Sequence, residues 1–171
     1  PKTPVECKIH YYNLSFPKFL RSLLLMKIYQ VDAFTDHIFG GNPAAVCPLA
    51  GWLSEEKMQQ IAMENNLSET AFFVKEGDAY HIRWFTPEME IDLCGHATLA
   101  SAHVIFNYLK HPKKSIDFIY GGGSLSVSKE NGLLTMDFPS VISKETQVTE
   151  QMIAGLGKTP VKAMKARDLL L

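Results

Sequence analysis

Two hydrophobic rhythms share this chain. Between Ala79 and Phe85, Tyr80, Ile82 and Trp84 alternate with His81, Arg83 and Phe85, the two-residue period of a strand. From Ala97 to Leu109, the residues Ala97, Leu99, Ala100, Ala102, Val104, Ile105, Phe106 and Leu109 leave almost no polar face. A helix with that composition must be buried on all sides. It is too short to cross a bilayer, which takes ~20 apolar residues. It is therefore expected to be a central pillar with a sheet wrapped around it.

The remaining pattern fits that plan. A strand opens at Lys27–Val31 and runs to about Phe34, before Gly40-Gly41-Asn42-Pro43 forces a turn. Ala44–Cys47 reads as a short buried strand closed by Pro48. Ser54 is a good N-cap, Glu55 and Glu56 suit a first helical turn, and Met58, Ile61 and Ala62 share one face. Asn65-Asn66 ends that helix. Strands follow at Thr70–Val74, Ile116–Tyr120 and Leu125–Ser128, and Asn131-Gly132 turns the chain into Leu133–Phe138. Thr149 is placed to cap a short helix ending near Gly155 or Gly157, and Val161–Leu171 reads as a final strand.

Composition narrows the function classes. The 171 residues can hold one good core, and a formal charge of −1 gives no basis for a nucleic-acid partner. Lys158, Lys162, Lys165 and Arg167 are read as a solvated surface. Cys7, Cys47 and Cys94 form no Cys-x-x-Cys pair, which argues against a disulfide framework and fits a reducing, cytoplasmic setting. No membrane partner is expected. Segment 1–25 is basic, with Glu6 its only acid, and is expected to be a leader or a non-native extension.

Candidate chemistry concentrates in two short strings. In Asn66-Leu67-Ser68-Glu69-Thr70, Glu69 is placed on the link between a helix and an apolar strand. A glutamate there is ordinarily just solvated. Its apolar neighbours Leu67 and Ala71-Phe72-Phe73 instead suggest partial burial, which favours a protonated carboxyl and proton exchange near neutral pH. Ser68 and Thr70 could orient it, or simply make turn contacts. In Asp92-Leu93-Cys94-Gly95-His96-Ala97, the mouth of the apolar helix offers unpaired amides to an anion, with His96 beside them as a proton carrier or a cap. A helix start lowers a thiol pKa, so Cys94 could be a nucleophile, although a small buried hydrophobe is the commoner role. His103 reads as a core histidine. No phosphate-binding glycine loop and no metal-ligand spacing stands out.

Five segments then occur in order: Val31–Thr35, Gly41–Val46, Leu67–Phe72, Arg83–Pro87 and Leu93–Ala100. Together they resemble the PhzF family of phenazine-biosynthesis-like isomerases, over roughly Met26 to Leu171. The resemblance implies an α+β, diaminopimelate-epimerase-like fold of two similar domains, each a curved mixed or antiparallel sheet around a central apolar helix. It implies cofactor-free acid/base isomerisation of a small carboxylic acid in the cleft between them, with Glu69 and His96 catalytic. Ser68, Gly95 and Asn42 are the implied substrate contacts, and no metal is involved.

Cys94 matches one of the two opposed thiols of the related epimerases, and the lack of a second makes racemisation the weakest enzyme reading. On this resemblance, residues 26–145 form the N-terminal domain, and 146–171 a linker helix and the start of a truncated second one. The chain alone is then expected to be inactive or weak unless a second copy, as a homodimer, completes the cleft. The alternative from another class is a non-catalytic module binding small ligands or a protein.

Overall fold

The computed structural model describes residues 26–37, 39–138, 142–166 and 169–170; the expectation for segment 1–25 and the residue Cys7 lie outside them. The chain divides into two compact units, one up to Asp137 and one from Phe138. The division expected from sequence fell at residue 145. Lys144–Thr146 is a strand that pairs within the second unit.

The first unit carries one mixed sheet built from β1 (Tyr29–Ala33), β2 (Asn42–Leu49), β3 (Glu69–Glu76), β4 (Ala79–Phe85), β6 (Ser115–Tyr120), β7 (Gly123–Glu130) and β8 (Leu133–Asp137), in that spatial order. A two-residue β5 (Glu90–Ile91) pairs with β4. Two neighbouring pairs are parallel, β2 with β3 and β4 with β6. Each needs a crossover: α1 (Glu55–Asn65) makes the first, and β5 with α2 (Gly95–Asn107) lies in the second. The other pairs are antiparallel hairpin partners. One such hairpin turns at Asn131 and Gly132, both at positive φ, as that dipeptide favours.

Strand alternation sorts the side chains between two cores. Ala71 and Phe73 of β3, and Tyr80, Ile82 and Trp84 of β4, face α2, whose Ala97, Val104 and Ile105 are fully buried among them. On the other face Phe72 and Phe85 meet edge-to-face and pack with Met58 and Ala62 of α1. The absence of a polar stripe on α2 therefore has the physical consequence expected: the sheet curls around it. Truncating Ile105 to Ala would cost about 2–5 kcal/mol, as for other large buried side chains.

The local signals hold where they rest on capping. Ser54 Oγ accepts from Lys57 N, and α1 ends in left-handed Asn66. In the second unit Thr149 caps α3 (Glu150–Leu156), and Gly157 closes it at φ 69°. That unit's sheet is β9 (Lys144–Thr146), β10 (Ala163–Ala166) and β11 (Leu169–Leu170), ordered β11-β10-β9. The single strand expected over Val161–Leu171 is thus two short antiparallel ones. No helix among the described residues is long and apolar enough to cross a membrane.

Candidate active site

Three chain segments meet at one end of the first sheet. Asn42 opens β2 and Glu69 opens β3, and because these strands are parallel, with Ala44 opposite Glu69, both starts lie at the same end. Glu69 is therefore the first strand residue, not part of the link where the sequence placed it. The two-residue period gives it the same face as Ala71 and Phe73, the face that covers α2. Helix α2 begins at Gly95 after Cys94, whose backbone is extended and whose thiol makes no capping hydrogen bond.

This arrangement brings Glu69 Oε2 to 3.0 Å from His96 Nε2, with only 17% and 10% of the two side chains exposed. The atoms are close but out of line for a hydrogen bond, and neither has such a bond among the described residues. On the other edge of the ring, His96 Nδ1 is 3.4 Å from Cys94 Sγ. Ser68 is exposed and directs its hydroxyl to Asn42 Oδ1 (3.2 Å) and the Pro43 carbonyl (3.3 Å). Ser68 and Asn42 thus tie the starts of β2 and β3 together. Gly95, His96 and Ala97 are the first residues of α2, so their amides have no intrahelical acceptor.

Burial dominates the electrostatics. It holds His96 below the ordinary imidazole value, against the opposing pull of the Glu69 charge and the Pro43 carbonyl. Burial thus favours the neutral ring. Burial also pushes the Cys94 thiol up to about 12; the Glu69 charge adds to this, and the Ala97 and His96 amides offset it only in part. Of the two roles the sequence left open for Cys94, this favours the small buried hydrophobe, because desolvation outweighs the helix N-terminus.

The site also contains what spacing along the chain conceals. One donor atom each from Glu69, Cys94 and His96 lie within 4.8 Å of one another, although Glu69 is distant in sequence from the other two. The Pro43 carbonyl that faces His96 had no sequence signal, since any residue carries a carbonyl. His103 lies a helix rise of about 10 Å further along α2. There it is partly buried, contacts Asn107, and is pushed down to about 4 by burial and by Lys129.

Known proteins share this arrangement of elements. An uncharacterized isomerase of Pseudomonas aeruginosa is 48% identical over 146 residues, covering 85% of this chain and 56% of the relative. The crystal structure of a PhzF-family phenazine biosynthesis protein from Enterococcus faecalis superposes with a TM-score of 0.76 at 50% identity, over 84% of this chain and 55% of that one. A predicted epimerase from Pseudomonas aeruginosa shares the fold at a TM-score of 0.67 and 16% identity, over 83% of this chain and 56% of that one. The fold is thus epimerase-like, and the chain spans a little over half the length of these relatives. Residues 31–167 match the family model described as phenazine biosynthesis-like protein, PhzC-PhzF, and the chain belongs to that family.

Proposed function

We propose that this chain contributes the acid/base half of an isomerase acting on a small cyclic or unsaturated carboxylic acid. The observation that supports it is the Glu69–His96 pair: two titratable groups, nearly buried, whose facing atoms Oε2 and Nε2 are 3.0 Å apart and make no hydrogen bond among the described residues. In this reading the Glu69 carboxylate takes a proton from one substrate carbon and returns it to another, so no proton is gained or lost overall. General acid/base transfer of this kind contributes about 10²–10⁴-fold. Neutral His96 hydrogen-bonds the substrate through Nε2, and the amides at the mouth of α2 take its carboxylate. Ser68 and Asn42 line the same approach. Side chains and these backbone amides carry the reaction, without a cofactor.

The name of the Pseudomonas aeruginosa relative supports isomerase as the reaction class. The proposed partner across the site is a second copy of this chain. Deuterium incorporation from D₂O into a dihydroaromatic carboxylic acid, followed by NMR, tests the chemistry. Glu69→Gln is expected to slow exchange by about 10²-fold or more, and unchanged exchange would reject the mechanism. Activity per chain should rise with protein concentration as dimers form. A rate per chain that stays constant while the protein remains monomeric rejects the homodimer.

A further inference from the structure

The three side chains that converge here differ in a way that proton transfer alone does not use. A carboxylate, an imidazole and a thiol offer oxygen, nitrogen and sulfur donors, all within 4.8 Å of one another. Two close approaches already exist: Glu69 Oε2 to His96 Nε2 at 3.0 Å and Cys94 Sγ to His96 Nδ1 at 3.4 Å. The first pair is buried and makes no hydrogen bonds. A zinc ion bound at about 2.0–2.3 Å to each of three such donors holds them roughly 3–4 Å apart. One donor atom of each residue already lies within 4.8 Å of the other two, a little wider than that spacing.

We propose that Glu69, Cys94 and His96 form a binding site for a thiophilic divalent cation of the zinc class, and that the bound ion blocks proton transfer. The donor set selects the ion: thiolate and imidazole suit zinc, whereas magnesium and calcium favour oxygen ligands. On binding, the Cys94 S–H bond breaks, a zinc–sulfur bond forms, and the proton leaves to the buffer. His96 donates a ring-nitrogen lone pair and Glu69 a carboxylate oxygen, so neither remains available to a substrate. A water completes the fourth position. The site shares its residues with the proposed acid/base function, but its readout does not depend on turnover.

The test is titration of the 171-residue chain with Zn²⁺ against a chromophoric chelator, and with Co²⁺ by absorption. A single tight equivalent is expected, with a sulfur-to-cobalt charge-transfer band. That band should persist in Cys7→Ser and Cys47→Ser and disappear in Cys94→Ser. Cys94→Ser and His96→Gln should each weaken zinc by more than the ~10–100-fold typical of losing an outer hydrogen-bond partner. Unfolding midpoints of the variants, measured without metal, verify that each is folded. Binding that is absent, or unchanged in both variants, overturns the site. Zinc binding at these residues with exchange unaffected by Glu69→Gln would uphold the site and reject the catalytic reading. Loss of exchange in Glu69→Gln with no zinc binding would do the reverse.

Discussion

Glu69 and His96 approach to 3.0 Å because one opens a strand and the other sits in the first turn of the helix that the strand covers. Neither contact depends on a long flexible loop. The first residue of β3 is held by its parallel pairing to Ala44, and His96 by a helix buried on all sides. Rigid elements of this kind are what hold a proton donor and acceptor in productive geometry.

His96→Gln should reduce exchange by about 10²-fold while leaving the fold intact, because the flexible glutamine amide does not hold a hydrogen-bond donor where the imidazole Nε2 sits. The paired measurement is the rate in D₂O together with the urea midpoint. Equal losses in both would show a packing defect instead of a chemical role.

The Cys94 and Cys47 thiols, each pushed up to about 12 by burial, should resist alkylation at neutral pH. Mass spectrometry after iodoacetamide treatment should find both intact in the native protein and both modified in denaturant. Rapid native labelling of Cys94 would show that its thiolate is accessible and would revive a nucleophilic role.

His103 sets a stability window. Its folded pKa of about 4 lies below the unfolded value of ~6.5, so the unfolded state binds the proton more readily. Its contribution is fully present above pH ~6.5 and is lost as pH falls through about 4. At pH 5 the loss is about 1–2 kcal/mol, after allowing for partial exposure. Denaturation midpoints at pH 7 and pH 5 measure it, and His103→Leu should remove most of the difference. His96, also held low, leaves the remainder.

Gly41 should tolerate no side chain. Its φ is 67°, and an added Cβ would come within 2.1 Å of the Ala33 carbonyl oxygen. Gly41→Ala is expected to destabilise by about 2–3 kcal/mol or more, since strain and collision add. Gly77→Ala supplies the comparison: φ is 59° with nothing within 4 Å, so only the backbone strain of about 1 kcal/mol remains. Comparable unfolding midpoints for the two variants would rule out the collision at Gly41.

Much of this fold is legible in the chain. The strand at Ala79–Phe85, the buried α2, the Ser54 and Thr149 caps and the Asn131-Gly132 turn follow from periodicity and local hydrogen bonding. Two strands escaped notice, β5 and β9, because two or three residues are too few to show a period. Glu69, Cys94 and His96 were visible as residue types in suggestive strings. Their convergence was legible only through the family resemblance, since it depends on which strands pair in parallel. The Cys94 thiol went the other way for a related reason: a helix start is a local signal, whereas the burial that outweighs it comes from residues remote in sequence.

The direction of β3 has a practical consequence. The strand starts at the candidate site and ends at Glu76, roughly 23 Å from Glu69, with the Gly77-Asp78 tip just beyond it. A reporter peptide or affinity tag inserted at that tip would sit at the far end of the strand from the candidate site. Engineering can therefore begin there, leaving the opposite rim untouched.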